Sequence, residues 1–240
     1  KRIREATIVL YSFFRLPDEI VDNPDYEDEK KIKEELKDFK QNWKQAYASG
    51  NSDSPVLRAT QAVFKKYDIP YEYSESFLKA MIQDTKKKRY KTYNELEKYM
   101  YGSAGVVGLI MSYVIGFTDK QSLEYAKKLG YAMQMSNFLR DIQEDYVERN
   151  RIYLPQNDLD RFNVAEKDIE NEIVNQDFKD LIKFEIKRTR KLYKQSKRGI
   201  PMLKKEGRYP VKLALVLYRK YLDKIESKNY DVYNSNLSLN

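Results

Sequence analysis

Four polar side chains fall on one line in the stretch Gln134 to Pro155, Q-M-S-N-F-L-R-D-I-Q-E-D-Y-V-E-R-N-R-I-Y-L-P. Gln134, Asn137, Asp141 and Asp145 are spaced three, four and four residues apart. At about 100° per residue they fit within an arc of roughly 80° on one helix face. Two carboxylates a turn apart, preceded by an amide, offer only hard oxygen ligands, a set suited to Mg²⁺, with Mn²⁺ as a substitute, rather than to zinc or copper. Arg140, Arg149 and Arg151 follow closely. A guanidinium beside a carboxylate-metal site is what a phosphate ligand needs.

The pattern occurs a second time in Y-S-F-F-R-L-P-D-E-I-V-D, where Tyr11, Arg15, Asp18 and Asp22 are spaced four, three and four residues apart, within an arc of about 60°. Acidic pairs at this spacing are common on solvated helix faces, but two copies with Arg, Asn and Gln in register are not. If the two faces oppose each other, four aspartates surround one volume, and such charges are tolerable only with divalent cations between them. A metal cluster holding a polyanion is expected, with Asp18 and Asp22 on one side and Asn137, Asp141 and Asp145 on the other. Glu19 and Glu144 are candidates for outer contacts.

The block Tyr11 to Asp22, the run Q-x-x-N-x-x-R-D-x-x-E-D with its R-I-Y-L-P ending, and Y-M-Y-G-S-A-G-V-V-G from Tyr99 to Gly108 together resemble the squalene and phytoene synthases, in that family's order. The resemblance implies an all-α, single-domain, class I terpenoid synthase-like helical bundle around a central apolar cavity, spanning residues 1–240. It implies head-to-head joining of two prenyl diphosphates through a cyclopropyl intermediate, with Asp18, Asp22, Asp141 and Asp145 as catalytic metal-binding acids. Tyr11, Arg15, Gln134, Asn137, Arg140, Arg151 and Tyr153 are placed by motif position against the substrate. For Arg140 and Arg151 a structural ion pair is the competing role. Tyr99 falls at the family's catalytic tyrosine, while Tyr101, about 200° away around the helix, competes for that role.

The R-I-Y-L-P ending looks more like phytoene synthases, so geranylgeranyl diphosphate to 15-cis-phytoene is the expected reaction. Squalene or dehydrosqualene formation from farnesyl diphosphate is the alternative. A glycine fingerprint for a dinucleotide is absent from the sequence, so no nicotinamide cofactor is expected.

Composition narrows the chemistry. The 240 residues contain no Cys and no His. Disulfides, thiolate or imidazole metal sites and Ser-His or Cys-His nucleophile systems are therefore excluded. With 45 Lys+Arg against 37 Asp+Glu the net charge is +8, and residues 183–212 hold twelve Lys or Arg but two Glu. Such a run could serve an RNA-binding module or a membrane-surface module. Binding polyanions, however, gives no reason to align aspartates on two helix faces, and no nucleic-acid partner is expected. Peripheral docking on an anionic membrane fits apolar substrate tails, and a cytoplasmic or inner-membrane-face location is expected. The longest apolar run, Ala104 to Phe117, is fourteen residues, too short to span a bilayer. No signal peptide is read, and the start at Lys1 leaves room for an N-terminal piece outside this numbering.

The elements that must position these residues read as helices almost throughout. A first helix over 3–22 carries Pro17, which should kink it ahead of Asp18. An amphipathic helix over 27–44 buries Ile32, Leu36, Phe39 and Trp43. Ser54-Pro55 opens a helix to Tyr67, and another spans 74–90. Thr92-x-x-Glu95 caps the helix running to Phe117. Its Gly102, Gly105 and Gly108 require something close to the backbone, either a neighbouring helix or a prenyl chain. Thr118-x-x-Gln121 caps a long helix to Glu148. A loop over 149–163 closes on an Asn163-x-x-Glu166 cap, and helices over 176–197 and 209–228 complete the bundle. The tail over 231–240 is expected to fray.

Overall fold

The computed structural model describes residues 2–21, 29–233 and 237. Asp22 and the Asn23-Pro24-Asp25 helix stop lie outside them. The described residues form α1 (Arg2–Val21), α2 (Glu29–Ser49), α3 (Pro55–Lys66), α4 (Tyr71–Asp84), α5 (Tyr93–Met100) and α6 (Val106–Ile115). Then follow α7 (Ser122–Arg140), α8 (Ile142–Arg149), α9 (Gln156–Arg161), α10 (Glu166–Glu170), α11 (Gln176–Ser196) and α12 (Lys205–Ser227). Among these residues there is no strand, only two isolated bridges, Arg89 with Ile152 and Phe117 with Leu203.

The bundle is organised by α7, which is buried on two sides. Tyr131, Met135 and Phe138 enter an aromatic-rich core with Leu10, Phe13, Trp43 and Phe64. Ala132 and Leu139 enter a second core with Phe178, Leu181, Ile182 and Leu222. A helix apolar on both flanks has little room for polar groups, so Gln134, Asn137 and Asp141 occupy the remaining face.

Local chemistry explains the helix starts. Ser54 Oγ accepts from Leu57 N at 3.4 Å and Pro55 sits in the first turn, where its missing N–H costs nothing. Asn175 Oδ1 accepts from Phe178 N at 2.9 Å, opening α11. Thr92 Oγ1 accepts from Glu95 N at 3.2 Å, but the Glu95 carboxylate takes Lys91 N at 2.6 Å instead of closing back on Thr92.

Several expected boundaries move. α1 runs through Pro17 without interruption. α4 ends at Asp84 rather than Tyr90, because the backbone beyond it pairs elsewhere: Ile152 N donates to Lys88 O at 3.0 Å and Gln156 N to Tyr90 O at 2.8 Å. Thr118 caps no helix; its hydroxyl donates to Met202 O at 3.0 Å, while Asp119 Oδ1 accepts from Gln121 N at 2.8 Å. The expected long helix to Glu148 is broken at Asp141 (φ −105°, ψ 19°). The expected loop over 149–163 contains α9, and the cap after it is made by Asp168, which accepts from Ala165 N at 2.7 Å, rather than by Asn163. Of the tail, Val232, Tyr233 and Leu237 are buried in the second core, while 234–236 and 238–240 lie outside the described residues. Ile32 and Phe39 pack at the edge of the first core and Leu36 and Trp43 inside it, as their spacing requires.

The helix over 93–115 is interrupted by a π turn, Tyr101–Gly105, which inserts one residue into a helical turn. A Cβ at Gly102 would lie 2.5 Å from Ser76 O, and one at Gly108 would lie 2.5 Å from Ala126 O. Gly102 and Gly108 therefore allow close packing against α4 and α7, and Gly108 also lines an apolar cavity. Gly108→Ala would gain helix propensity, but the backbone oxygen cannot retreat cheaply. The variant is expected to melt about 3–10 °C lower than wild type in a thermal scan.

Candidate active site

The two acidic faces meet across one polar pocket of about 530 Å³. Asp18 and Arg15 enter from α1, Asn137 and Gln134 from α7, Asp141 from the break and Asp145 from α8. The break leaves the stripe intact, because Asp141 N still donates to Asn137 O and Asp145 N to Asp141 O, each at 2.8 Å. Tyr11 is exposed at the rim, and Glu144 also lines the pocket. Glu19 is drawn to Arg15, whose Nε donates to it at 3.0 Å.

Arginines already accompany two of the acids. Arg15 Nη1 lies 3.1 Å from Asp18 Oδ2. Arg140 holds Asp141 through two bonds of 2.5 and 2.6 Å, and its guanidinium lies 4.6 Å from the centre of the Tyr221 ring. Asp145 is more deeply set, with Arg149 Nη1 as far away as 3.9 Å. Burial first, then the charge of Asp141, push its carboxyl up to about 8.

The donor set fits a hard divalent cation. Among the described residues no three acids lie close enough to form a ready metal cluster. The buried Oδ1 of Asn137, however, has no hydrogen-bond partner, and an orphaned buried oxygen beside two carboxylates requires a cation or a donor to offset its desolvation. Asp18, Asn137, Asp141 and Asp145 all face the same volume; Asp22 lies outside the described residues.

One wall of the pocket is aromatic. Phe138 and Tyr153 stack with ring centres 4.0 Å apart, and Tyr99 lies 5.7 Å from Tyr153 at an interplanar angle of 20°. Burial, then the charge of Asp84, raises the Tyr99 and Tyr153 hydroxyls well above their usual range. Tyr99 lines this pocket, whereas Tyr101, at the start of the π turn, lines neither it nor the neighbouring cavity.

Arg151, Tyr153 and Asp84 line the same pocket, with the first two held by the third. Arg151 is buried with its Nη1 at 3.3 Å from Asp84 Oδ2 and its Nη2 donating to Asp84 O at 3.0 Å. The Tyr153 hydroxyl is 3.1 Å from both Asp84 carboxylate oxygens. Arg151 is thus ion-paired in the pocket wall, with an aspartate as partner. Arg140 is also paired, but on the pocket surface. Asp84 carried no signal in the sequence, where it reads as the start of the basic end of a helix. Ser103 was also missed: its buried Oγ has no partner and lies on the boundary of two cavities.

The second cavity, about 460 Å³, is apolar and shares Ser103, Val107, Gln134 and Asn137 with the polar pocket. Val107, Met111 and Leu129 line it with Ile3 of α1 and Val211 of α12. The site is thus amphiphilic, with a polar end of carboxylates and guanidiniums opening into an apolar chamber.

Removing Asp84 should strand the buried Arg151 charge. Asp84→Ala is expected to cost about 3–5 kcal/mol in urea unfolding. Unchanged stability in Asp84→Ala would return Arg151 to the substrate.

A family model for squalene/phytoene synthases matches residues 1–240. The 15-cis-phytoene synthase of Synechocystis sp. is 34% identical over 96% of this chain and 71% of its own length. The phytoene synthase of Arthrospira platensis is 35% identical over 96% of this chain and 78% of its own. Among solved structures, a dehydrosqualene synthase in complex with ligand superimposes with a TM-score of 0.88 at 27% identity, over 98% of this chain and 80% of that one. Squalene synthase HpnC from Alicyclobacillus acidocaldarius gives the same TM-score, 0.88, at 24% identity over 96% of this chain and 86% of that one, a likeness of fold. The helical bundle is that of the terpenoid synthases, as expected. With a match from the first residue to the last, the chain belongs to the squalene/phytoene synthase family of prenyltransferases.

Proposed function

We propose that this chain joins two molecules of geranylgeranyl diphosphate head to head into 15-cis-phytoene. The observation that carries the reading is the shared wall: the pocket holding Asp18, Asp141 and Asp145 opens past Ser103 and Asn137 into the apolar cavity. A ligand filling both must be charged at one end and a hydrocarbon at the other. The cyanobacterial relatives, named phytoene synthases at 34% and 35% identity, support the twenty-carbon substrate. The dehydrosqualene synthase neighbour at 27% identity keeps farnesyl diphosphate as the second reading.

Each of the two steps releases one diphosphate and one proton, and phytoene formation needs no hydride, so no nicotinamide enters the reaction. Asp18, Asn137, Asp141 and Asp145, with Asp22, would hold Mg²⁺ or Mn²⁺. Such an ion neutralises the charge of a departing diphosphate. Arg15, Arg140 and Gln134 line the same pocket and would be suited to phosphate oxygens. The apolar cavity keeps water from the carbocation. The stacked faces of Tyr99, Phe138 and Tyr153 stabilise it, and the Tyr99 hydroxyl is placed to hold or pass a proton.

The RNA-binding alternative loses part of its footprint. Arg188 pairs with Asp158 and Glu185, Lys183 with Asp180, and Arg190 with Asp223 and Glu226.

The test is product analysis with geranylgeranyl or farnesyl diphosphate and Mg²⁺. Phytoene from the first substrate is expected, falling by about 10³-fold or more in Asp141→Asn. Tyr99→Phe should slow it by about 10²-fold with the ring retained, and Tyr101→Phe should do little. Turnover of farnesyl diphosphate alone selects the second reading. Near wild-type pyrophosphate release by Asp141→Asn removes the metal assignment.

A further inference from the structure

The outer face of α12 is apolar where a solvated helix would be polar. Tyr209, Leu213, Val216 and Leu217 are 72%, 44%, 36% and 43% exposed, and their spacing places them within an arc of roughly 100°. The opposite side of the helix is committed to the interior, with Leu215, Leu222 and Ile225 buried in the second core. Between the two sides, Pro210, Val211 and Ala214 line the apolar cavity. On the facing wall Thr7 of α1 lines the same cavity, and its neighbour Ile8 is 56% exposed. The cavity is therefore flanked by exposed apolar side chains on both helices.

Cations flank the stripe on one side, while Lys220 and the exposed acid Glu206 fall within its arc. Lys205, Arg208, Lys212, Arg219 and Lys220 are exposed on α12, and among the described residues none of the five is ion-paired. The acids Asp223 and Glu226 farther along the helix are both tied to Arg190.

We propose that this face of α12 seats the protein on an anionic lipid surface, with the cavity's flank toward the bilayer. Apolar side chains that can enter the acyl boundary and cations along their flank at headgroup level are the two contributions that make peripheral binding stable where either alone is marginal. A second copy of the chain is disfavoured as occupant, because five cations would face five cations. A nucleic acid would match the cations and leave the four apolar side chains uncovered. The surface differs from the whole basic run over 183–212, whose earlier cations are partly spent on ion pairs. This inference goes beyond the proposed reaction, and its test contains no prenyl substrate, so the two can fail separately.

The experiment is co-sedimentation of the full chain with phosphatidylcholine vesicles, with and without phosphatidylglycerol. Binding to the phosphatidylglycerol vesicles, weakened by salt, is expected. The double variant Leu213→Glu/Leu217→Glu should lower the partition coefficient by about tenfold or more. Lys212→Glu/Lys220→Glu should lower it by at least about tenfold on anionic vesicles alone. Ile173→Glu, at an exposed apolar position away from α12, should leave it unchanged. All these positions are exposed, so circular dichroism should show native helicity throughout. The inference is overturned if wild type does not bind, if the double variant binds as wild type does, or if Ile173→Glu loses as much. It is also overturned if the wild type is a dimer that Leu213→Glu/Leu217→Glu converts to monomer.

Discussion

Like charges held together in a partly dry wall constrain this molecule more than any other interaction. Asp141 and Asp145 sit one turn apart with Asn137 a turn earlier, and burial with mutual repulsion pushes Asp145 up to about 8. Such an arrangement costs stability unless something positive arrives. In this state the cost is partly met by Arg140 on Asp141 and, across the pocket, by Arg15 on Asp18. The rest of the bundle holds these groups in place: α7 is buried on both flanks and cannot turn its polar face away.

Much of this was readable in the sequence because it depends on local periodicity. Arcs of 60–80° computed from spacing alone put Asp18, Asn137, Asp141 and Asp145 around one pocket, which Tyr99 also lines. What periodicity does not carry is long-range pairing. Asp84 lies 67 residues from Arg151 and 69 from Tyr153, so nothing local marks it as the acid that binds both in the pocket wall. The π turn at Tyr101–Gly105 and the break at Asp141 are likewise set by packing. The misplaced cap at Thr118 shows the same limit, since its hydroxyl found a partner 84 residues away.

The two cavities share a division of labour that composition anticipates. With no His or Cys, proton handling in the site is left to carboxylates, phenols, Lys, water or a bound phosphate, and the Tyr99–Tyr153–Asp84 arrangement supplies hydroxyls whose protons are held tightly by burial. A phenol that resists ionisation can sit beside a cation without becoming a competing nucleophile.

The central claim is that the two acidic faces act as one cation site completed by a diphosphate. The most direct measurement is a Mn²⁺ titration followed by electron paramagnetic resonance, with and without an unreactive thiolodiphosphate analogue of geranylgeranyl diphosphate. Tight Mn²⁺ binding is expected only with the analogue present, and it should be lost both in Asp18→Asn on α1 and in Asp141→Asn at the α7–α8 break. Equally tight binding without the analogue, or binding that survives either substitution, would contradict it.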